Sequence, residues 1–424
     1  MTVRTGPHTR DDSADRARAA DAALAEVLLT PEGRAEPYSR YKRLRELDPV
    51  HHSGFGMWII SRYDDVDALL RDSSVGKDVR LFMQGRFGGD WEEHASLRRM
   101  GTSMLWANPP EHTRLRRIVN NTFTVRRVAA LEGFIEKLAD ELLDPIARAG
   151  GGDILNEFCY PLPLQVIAEL LGVPQRDAPS LREPMRDFQR TFELGLTADE
   201  LLQADAGAEF SDEYFRGLVA AKRAEPADDL LSALIAHEDD DGGKLSEIEL
   251  IGYCNMIMGA GFETTTHLLA NGLNALLSHP DQLARLRADP ELVEPAVEEI
   301  LRYDPPVHLV LRMNAGPVTV GGVEIPGGQV IATILAGANR DPDRFTDPER
   351  FDIGRREGLP ISFSAGIHHC LGWALAKLQA EVVLRVLLRR FDHMELVAEP
   401  VRRPRLTLRG FETLDVKTVE GDRS

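Results

Sequence analysis

The chain is poor in cysteine and in positive charge, and it has no long hydrophobic run. Its 424 residues include three cysteines, Cys159, Cys254 and Cys370, too few and too scattered for a disulfide framework or a zinc finger, and compatible with a reducing compartment. Lysine and arginine number 50 against 68 acidic residues, a net charge of −18, which argues against nucleic acid or an anionic membrane surface as a general partner. No stretch approaches the roughly 18 apolar residues of a membrane span, and Met1 to Ala20 lacks the apolar centre of a signal peptide. Internal repeats and Pro/Gly/Ser-rich linkers are missing as well. These absences predict a cytoplasmic protein with residues 1–20 flexible and residues 21–424 forming one large domain.

What is there is mostly helical. Apolar spacing predicts a helix over Pro37 to Leu47, a strand over Gly56 to Arg62, and a short helix capped by Asp64. Ser73 to Pro110 reads as a long irregular region rich in exposed apolar residues, the signature of a pocket lid. Helical text resumes from Glu111 to Ile235, broken at Gly150-Gly151-Gly152 and Pro161-Leu162-Pro163, and the acidic run from Glu238 to Gly243 reads as a solvated loop. Ser246 and Glu249 form a capping box ahead of a helix of about 33 residues, about 50 Å long. Two shorter helices follow, to Tyr303. Hairpin strands are predicted over Val318 to Ile334, and another small hairpin over Leu406 to Val419.

Cys370 lies in Phe363-Ser364-Ala365-Gly366-Ile367-His368-His369-Cys370-Leu371-Gly372, just ahead of an amphipathic helix from Trp373. A thiol at a helix N-terminus is near free backbone N–H groups and the positive end of the dipole, which favour the thiolate. Gly366 and Gly372 let the backbone lie against something flat. A zinc site made of His368, His369 and Cys370 is excluded, because three consecutive residues do not converge on a tetrahedral ion. Cys159 and Cys254 read as core residues.

This segment resembles the haem-binding signature of cytochromes P-450, the haem-thiolate monooxygenases. The resemblance extends from about residue 37 to the C-terminus and rests on several motifs. It implies a mainly α fold with small β-sheets, haem lying between the long central helix and the helix after the Cys loop. Cys370 is then the axial iron ligand, and Phe363, Gly366, Gly372 and His368 are cofactor-binding. Ser364 departs from the family, which usually has Gly there. Ala260-Gly261-Phe262-Glu263-Thr264-Thr265 resembles the oxygen-activation motif: Thr264 bonded to the Ala260 carbonyl would open the helix locally, and Thr264 with Glu263 would relay the protons that O–O cleavage consumes. Glu299, Arg302 and Arg350 match a structural triad, while His112, Arg116 and Arg312 match residues that grip haem propionates.

The implied reaction inserts one atom of O2 into a C–H or C=C bond of a hydrophobic molecule, with electrons coming ultimately from NAD(P)H. No flavin or nicotinamide fingerprint is present, so a ferredoxin and its reductase are the expected partners, with Arg114, Arg117, Arg126 and Arg127 as a basic docking face on an otherwise acidic monomer. The resemblance places the substrate pocket among Leu81, Phe82, Met104, Leu105, Phe188, Phe192, Val307, Leu309 and Leu408, with His308 and Arg186 as polar contacts. The chain as a whole resembles bacterial enzymes that tailor polyketides or macrolides. The alternatives are a haem-thiolate enzyme that uses peroxide or couples substrates oxidatively, and a non-catalytic haem sensor.

Overall fold

Ser246 and Glu249 begin the element around which the molecule is built. The Ser246 hydroxyl accepts from the Glu249 N–H and the Glu249 carboxylate from the Ser246 N–H, the reciprocal cap expected of this spacing. The helix it starts, Glu247–Ser278, is 32 residues long and has buried residues on every face. That all-round burial makes it a central element, not a surface one. The helices Pro161–Leu171, Ala198–Ala224, Val293–Tyr303 and Trp373–Arg390 pack around it, and one contiguous hydrophobic cluster runs from Met104 to Val416. The computed structural model describes residues 9–193, 195–237 and 243–421.

Among the described residues ten short strands accompany the helices: β1 Val50–His52, β2 Trp58–Ile60, β3 Val75–Gly76, β4 Gly151–Asp153, β5 Leu309–Asn314, β6 Val318–Val320, β7 Val323–Ile325, β8 Val330–Ile334, β9 Phe391–Leu396 and β10 Asp415–Glu420. They make a five-stranded sheet in the order β1-β2-β8-β5-β3, a three-stranded sheet β4-β10-β9, and the hairpin β6-β7. The β6-β7 turn is Gly321-Gly322 with both φ positive, at 56° and 82°, which is the two-residue hairpin turn that matches strand twist. A mainly α fold with small sheets is therefore what the chain adopts.

Several expectations need correction. Residues 9–20 are helical: they belong to a helix, Thr9–Leu29, whose Ala20, Ala23, Leu24 and Val27 are buried on one face. The apolar signal lies only in the second half of that helix, and the charged first half is tied down by Arg16, which donates to the Glu46 and Leu47 carbonyls. Residues 1–8 lie outside the described residues. Asp64 is not a cap; the helix Tyr63–Arg71 has Arg62 at its N-cap, and Asp64 sits in its first turn.

The region from Ser73 to Pro110 is not irregular. It holds β3, the helices Val79–Phe87 and Ala95–Thr102 and two turns of 3-10 helix, each too short for a periodic signal, and its Phe82, Met83, Trp91, Leu97 and Met100 are buried together. Pro161 does not interrupt a helix but opens one, at the N1 position where its missing N–H is harmless. Val330–Ile334 is not part of the local hairpin; it lies parallel to β2 and antiparallel to β5. Nor does the tail form a hairpin: Asp415–Glu420 pairs with Phe391–Leu396 and with Gly151–Asp153. Residues 238–242 of the acidic run lie outside the described residues.

Candidate active site

One large cavity, of about 440 Å³, lies between the long helix and the Cys370 loop. The loop is closed by the Cys370 N–H donating to the Phe363 carbonyl at 2.9 Å, and it leads directly into the helix Trp373–Arg390. Cys370, Phe363, His368 and Gly372 all line the cavity. The backbone N–H groups of Gly372 and Trp373 and the charge of Arg116 pull the Cys370 thiol toward ionisation, but burial outweighs them and its pKa is raised. The helix-terminus advantage is therefore present but is not by itself enough to make a free thiolate. A coordinated metal would supply the rest.

The two loop glycines serve different ends. Gly366 has φ +69°, and a Cβ there would stand 2.1 Å from the Leu70 carbonyl oxygen, so the chain itself requires it. Gly372 has no chain atom within 4 Å of where a Cβ would sit, leaving an open face on the cavity wall. Ser364 holds φ 60°, a region that favours glycine, and its hydroxyl accepts from Arg312 Nη2 at 3.3 Å.

Beside the loop stands a group of basic side chains. The rings of His112 and His368 are 4.5 Å apart, edge to face, and Nε2 of each has no hydrogen-bond partner among the described residues. Arg116 donates to the His369 carbonyl at 2.9 Å. Arg312 is buried with no acid near it, its pKa pushed down to about 10 by burial. Lys77, which sequence reading missed, is buried in the same place, and burial and the charge of Arg312 hold its ammonium well below the ordinary lysine range. His368 is likewise pushed far down, by burial and then by Lys77, Arg312, His112 and Arg116. No carboxylate neutralises this group among the described residues. Buried cations without a counter-charge are unfavourable unless an anion joins them. The open Gly372 face, the thiol and these cations together fit a flat group that carries carboxylates and a central metal.

On the opposite wall the Thr264 hydroxyl donates to the Ala260 carbonyl at 2.7 Å. Thr265 and Thr266 bond back in the same way to Gly261 and Phe262. The segment nevertheless stays helical throughout. A Cβ at Gly261 would stand 2.6 Å from Ile167 Cδ1, so the Ile167 side chain would have to shift to admit one. Glu263 is buried and its carboxylate accepts from Arg403 Nη1 at 2.6 Å, while the same Nη1 contacts His267 Nε2. Despite desolvation, the His267 and Arg403 contacts hold the Glu263 carboxyl down to about 2. His267, with Arg403 on its Nε2, is neutral and pushed down to about 4, chiefly by burial.

Glu299 and Arg302 form a fully buried bidentate pair, at 2.7 and 2.8 Å. The third member is Arg355, not Arg350: Arg355 Nε reaches Glu299 at 3.2 Å, whereas Arg350 gives only its backbone carbonyl, to Arg302 and to Arg355. The intervening turn carries the Arg350 side chain away, and Arg355 is the next guanidinium along the chain.

Of the predicted pocket residues, Phe82, Met104, Leu105, Phe188, Phe192, Val307, Leu309 and Leu408 line the cavity, as do Ala260, His112 and Arg116. Leu81 does not; it is 45% exposed, because the helix Val79–Phe87 turns Phe82 and Met83 inward instead. Arg312 and Gly366 also lie outside the wall. Arg186 lines it, but His308 is buried elsewhere, between Tyr38 and Tyr41. Gln189, Asn255 and Arg403 are wall residues that sequence reading missed, each an isolated polar residue in a helix or loop with no motif around it.

The family model described as Cytochrome P450 matches residues 203–410. The chain is 39% identical to "Cytochrome P450 monooxygenase PikC" of Streptomyces venezuelae, over 91% of this chain and 92% of that protein. It is also 39% identical to "6-deoxyerythronolide B hydroxylase" of Saccharopolyspora erythraea, over 90% of this chain and 95% of the relative. Among solved structures, P450BioI in complex with hexadec-9Z-enoic acid ligated acyl carrier protein superposes with TM-score 0.86 at 32% identity, covering 91% of this chain and all of that one.

Proposed function

This chain belongs to the cytochrome P450 family and is a haem-dependent monooxygenase, and from that premise we propose that Cys370 is its iron ligand and Thr264 and Glu263 its proton-handling residues. When bound, the haem would supply the redox chemistry by which O2 oxygenates the substrate. Cys370 would give its thiolate to the metal, with the Gly372 and Trp373 N–H groups facing the sulfur to tune its donor strength. His112, Arg116 and His368 would hold the propionates from the cavity wall, with the charge of Arg312 behind it. Thr264 keeps its hydroxyl at the cavity surface by bonding Ala260. Glu263, paired with Arg403, takes up a proton from solvent and passes it to Thr264, whose hydroxyl releases a proton into the cavity and is reprotonated in turn. Phe363 packs beside the loop, and Glu299, Arg302 and Arg355 lock the segment before it. Residues 21–424 act as one catalytic domain.

The observation that supports this most is that a single cavity has Cys370 on one wall and Thr264 on the other. Its side walls, from Phe82, Met104, Phe188, Phe192, Leu309 and Leu408, exclude water and orient an apolar substrate by shape. We read that substrate as a macrolide-like or other polyketide intermediate that is hydroxylated or epoxidised, in line with the names of the relatives. Electrons come from NAD(P)H through redox partners, a ferredoxin and its reductase in our reading, and the protein works as a cytoplasmic monomer. No helix among the described residues is long and apolar enough to cross a membrane.

The ferredoxin face is less basic than its sequence: Arg114 is paired with Glu249, and Arg127 with Asp228 at 3.5 Å. Charge reversal at Arg117 and Arg127 is expected to slow reduction by ferredoxin, and unchanged reduction would remove this face from the scheme. The ligation test is the absorption spectrum of the reduced, CO-bound protein; an imidazole-type Soret band would overturn the assignment of Cys370. Spectral titration with macrolactones then tests the substrate class.

A further inference from the structure

Lys77 follows the short strand β3, and its backbone is fixed from both sides by Asn108. The Lys77 N–H donates to Asn108 Oδ1 and Asn108 Nδ2 donates to the Lys77 carbonyl, each at 2.9 Å. Gly76 permits this approach, since a Cβ there would lie 2.5 Å from Asn108 Oδ1. The side chain is 8% exposed and points to the cavity wall. Nζ donates to the Leu105 carbonyl at 2.6 Å and lies 5.4 Å from the centre of the Trp106 ring. An ammonium has three N–H groups, so two remain for another acceptor.

The neighbours of Lys77 are Arg312, His112 and His368, and no acid answers any of them among the described residues. Arg312, the arginine expected here, is buried behind the wall, whereas Lys77 is part of it. A flexible cation fixed by its backbone, short of an anion and directed at the same space as two unpartnered histidines is placed to meet a carboxylate. We infer that Lys77 is a further anchor of the cofactor, donating a charge-assisted hydrogen bond to a propionate alongside His112 and His368. The inference rests on the haem reading above. A purely structural lysine, there only to hold the Leu105–Trp106 turn, is the alternative it must beat.

The test mixes holoenzyme with excess apomyoglobin and follows haem transfer by absorbance, for the wild type, Lys77→Met and Lys77→Arg. The same series is repeated with the dimethyl ester of haem, whose carboxylates are blocked. Lys77→Met should release ordinary haem about five- to twentyfold faster than wild type, and Lys77→Arg within about threefold of it. With the ester, wild type and Lys77→Met should release at the same rate. Equal release of ordinary haem by wild type and Lys77→Met overturns the inference. So does an acceleration that persists with the ester, which is what a structural role predicts. Where Lys77→Met yields no holoenzyme, Lys77→Gln is judged by the same criteria. Failure of the haem reading itself would show separately, as a wild type whose reduced, CO-bound spectrum lacks thiolate ligation.

Discussion

Two buried clusters of charge in this molecule are opposites. Around Glu299, one carboxylate meets two guanidinium groups, Arg302 and Arg355; the remaining donors reach the carbonyls of Asn339, Thr346, Asp347, Pro348 and Arg350, and Arg355 also pairs with the Glu357 carboxylate at 2.6 Å. Every strong group there has a partner inside the chain. Around His368, by contrast, Lys77, His112, Arg116 and Arg312 gather with no carboxylate among the described residues. The first cluster is complete and holds the chain together; the second is incomplete and calls for a ligand. Between them stands Glu263, which has Arg403 and His267 as partners but keeps one carboxylate oxygen, Oε2, without any. Whether a buried charge is answered from within is thus a better guide to its role than burial alone.

The largest expected effect comes from breaking the incomplete site at its centre. Cys370→Ser should take monooxygenase turnover to background and abolish the thiolate-type spectrum of the reduced, CO-bound protein. Next is the complete cluster: Glu299→Gln leaves the buried Arg302 guanidinium without an anion and Arg355 with Glu357 alone, and should lower holoenzyme stability by about 3–5 kcal/mol in urea unfolding. Arg355→Met should lose about 1–3 kcal/mol in the same measurement, whereas Arg350→Met should stay within about 0.5 kcal/mol, which sharpens the identity of the third member. Thr264→Val should leave substrate binding near wild type but cut product formed per O2 consumed by about tenfold, with hydrogen peroxide making up the difference, and Thr264→Ser should restore most of it.

The smallest effect is on pH dependence, through the intermediate cluster. His267 sits at about 4 in the folded chain against an ordinary 6.5, so as pH falls the unfolded chain takes the proton first and stability drops between those values. Glu263, at about 2 against 4.5, favours the folded state above its ordinary value and loses that advantage as pH falls toward 2. Both shifts therefore make the fold acid-sensitive. Between pH 7 and pH 5, His267→Gln should lose about 1–2 kcal/mol less stability than wild type, read by denaturant unfolding at the two pH values.

Most of the long elements were legible in the sequence because their signals are local. The capping box at Ser246, the apolar period that carries Glu247–Ser278, and the Gly321-Gly322 turn each depend on residues within a few positions of one another. Ser73 to Pro110 was misread because helices of eight or nine residues barely complete two turns, too little for periodicity to stand out. The tail was misread for the opposite reason: Asp415–Glu420 takes its partners from residues 151–153 and 391–396, and no local pattern predicts a pairing at that distance.

The site divides in the same way. Chemistry that depends on residue type and close spacing is written in the chain: a cysteine between glycines at a helix start, an acid and an alcohol in the middle of a long helix, a histidine and an arginine one turn apart. Which distant side chains complete those groups depends on folding. It put Arg355 in place of Arg350 beside Glu299, set Arg403 on Glu263, turned Leu81 outward, and brought Lys77 to His368 across almost 300 residues of chain. The reason is physical. Ligand type and helix register are fixed by bonds and turns along the chain, but counter-charges are chosen by proximity in a desolvated interior, where any residue that arrives can answer or fail to answer a buried charge.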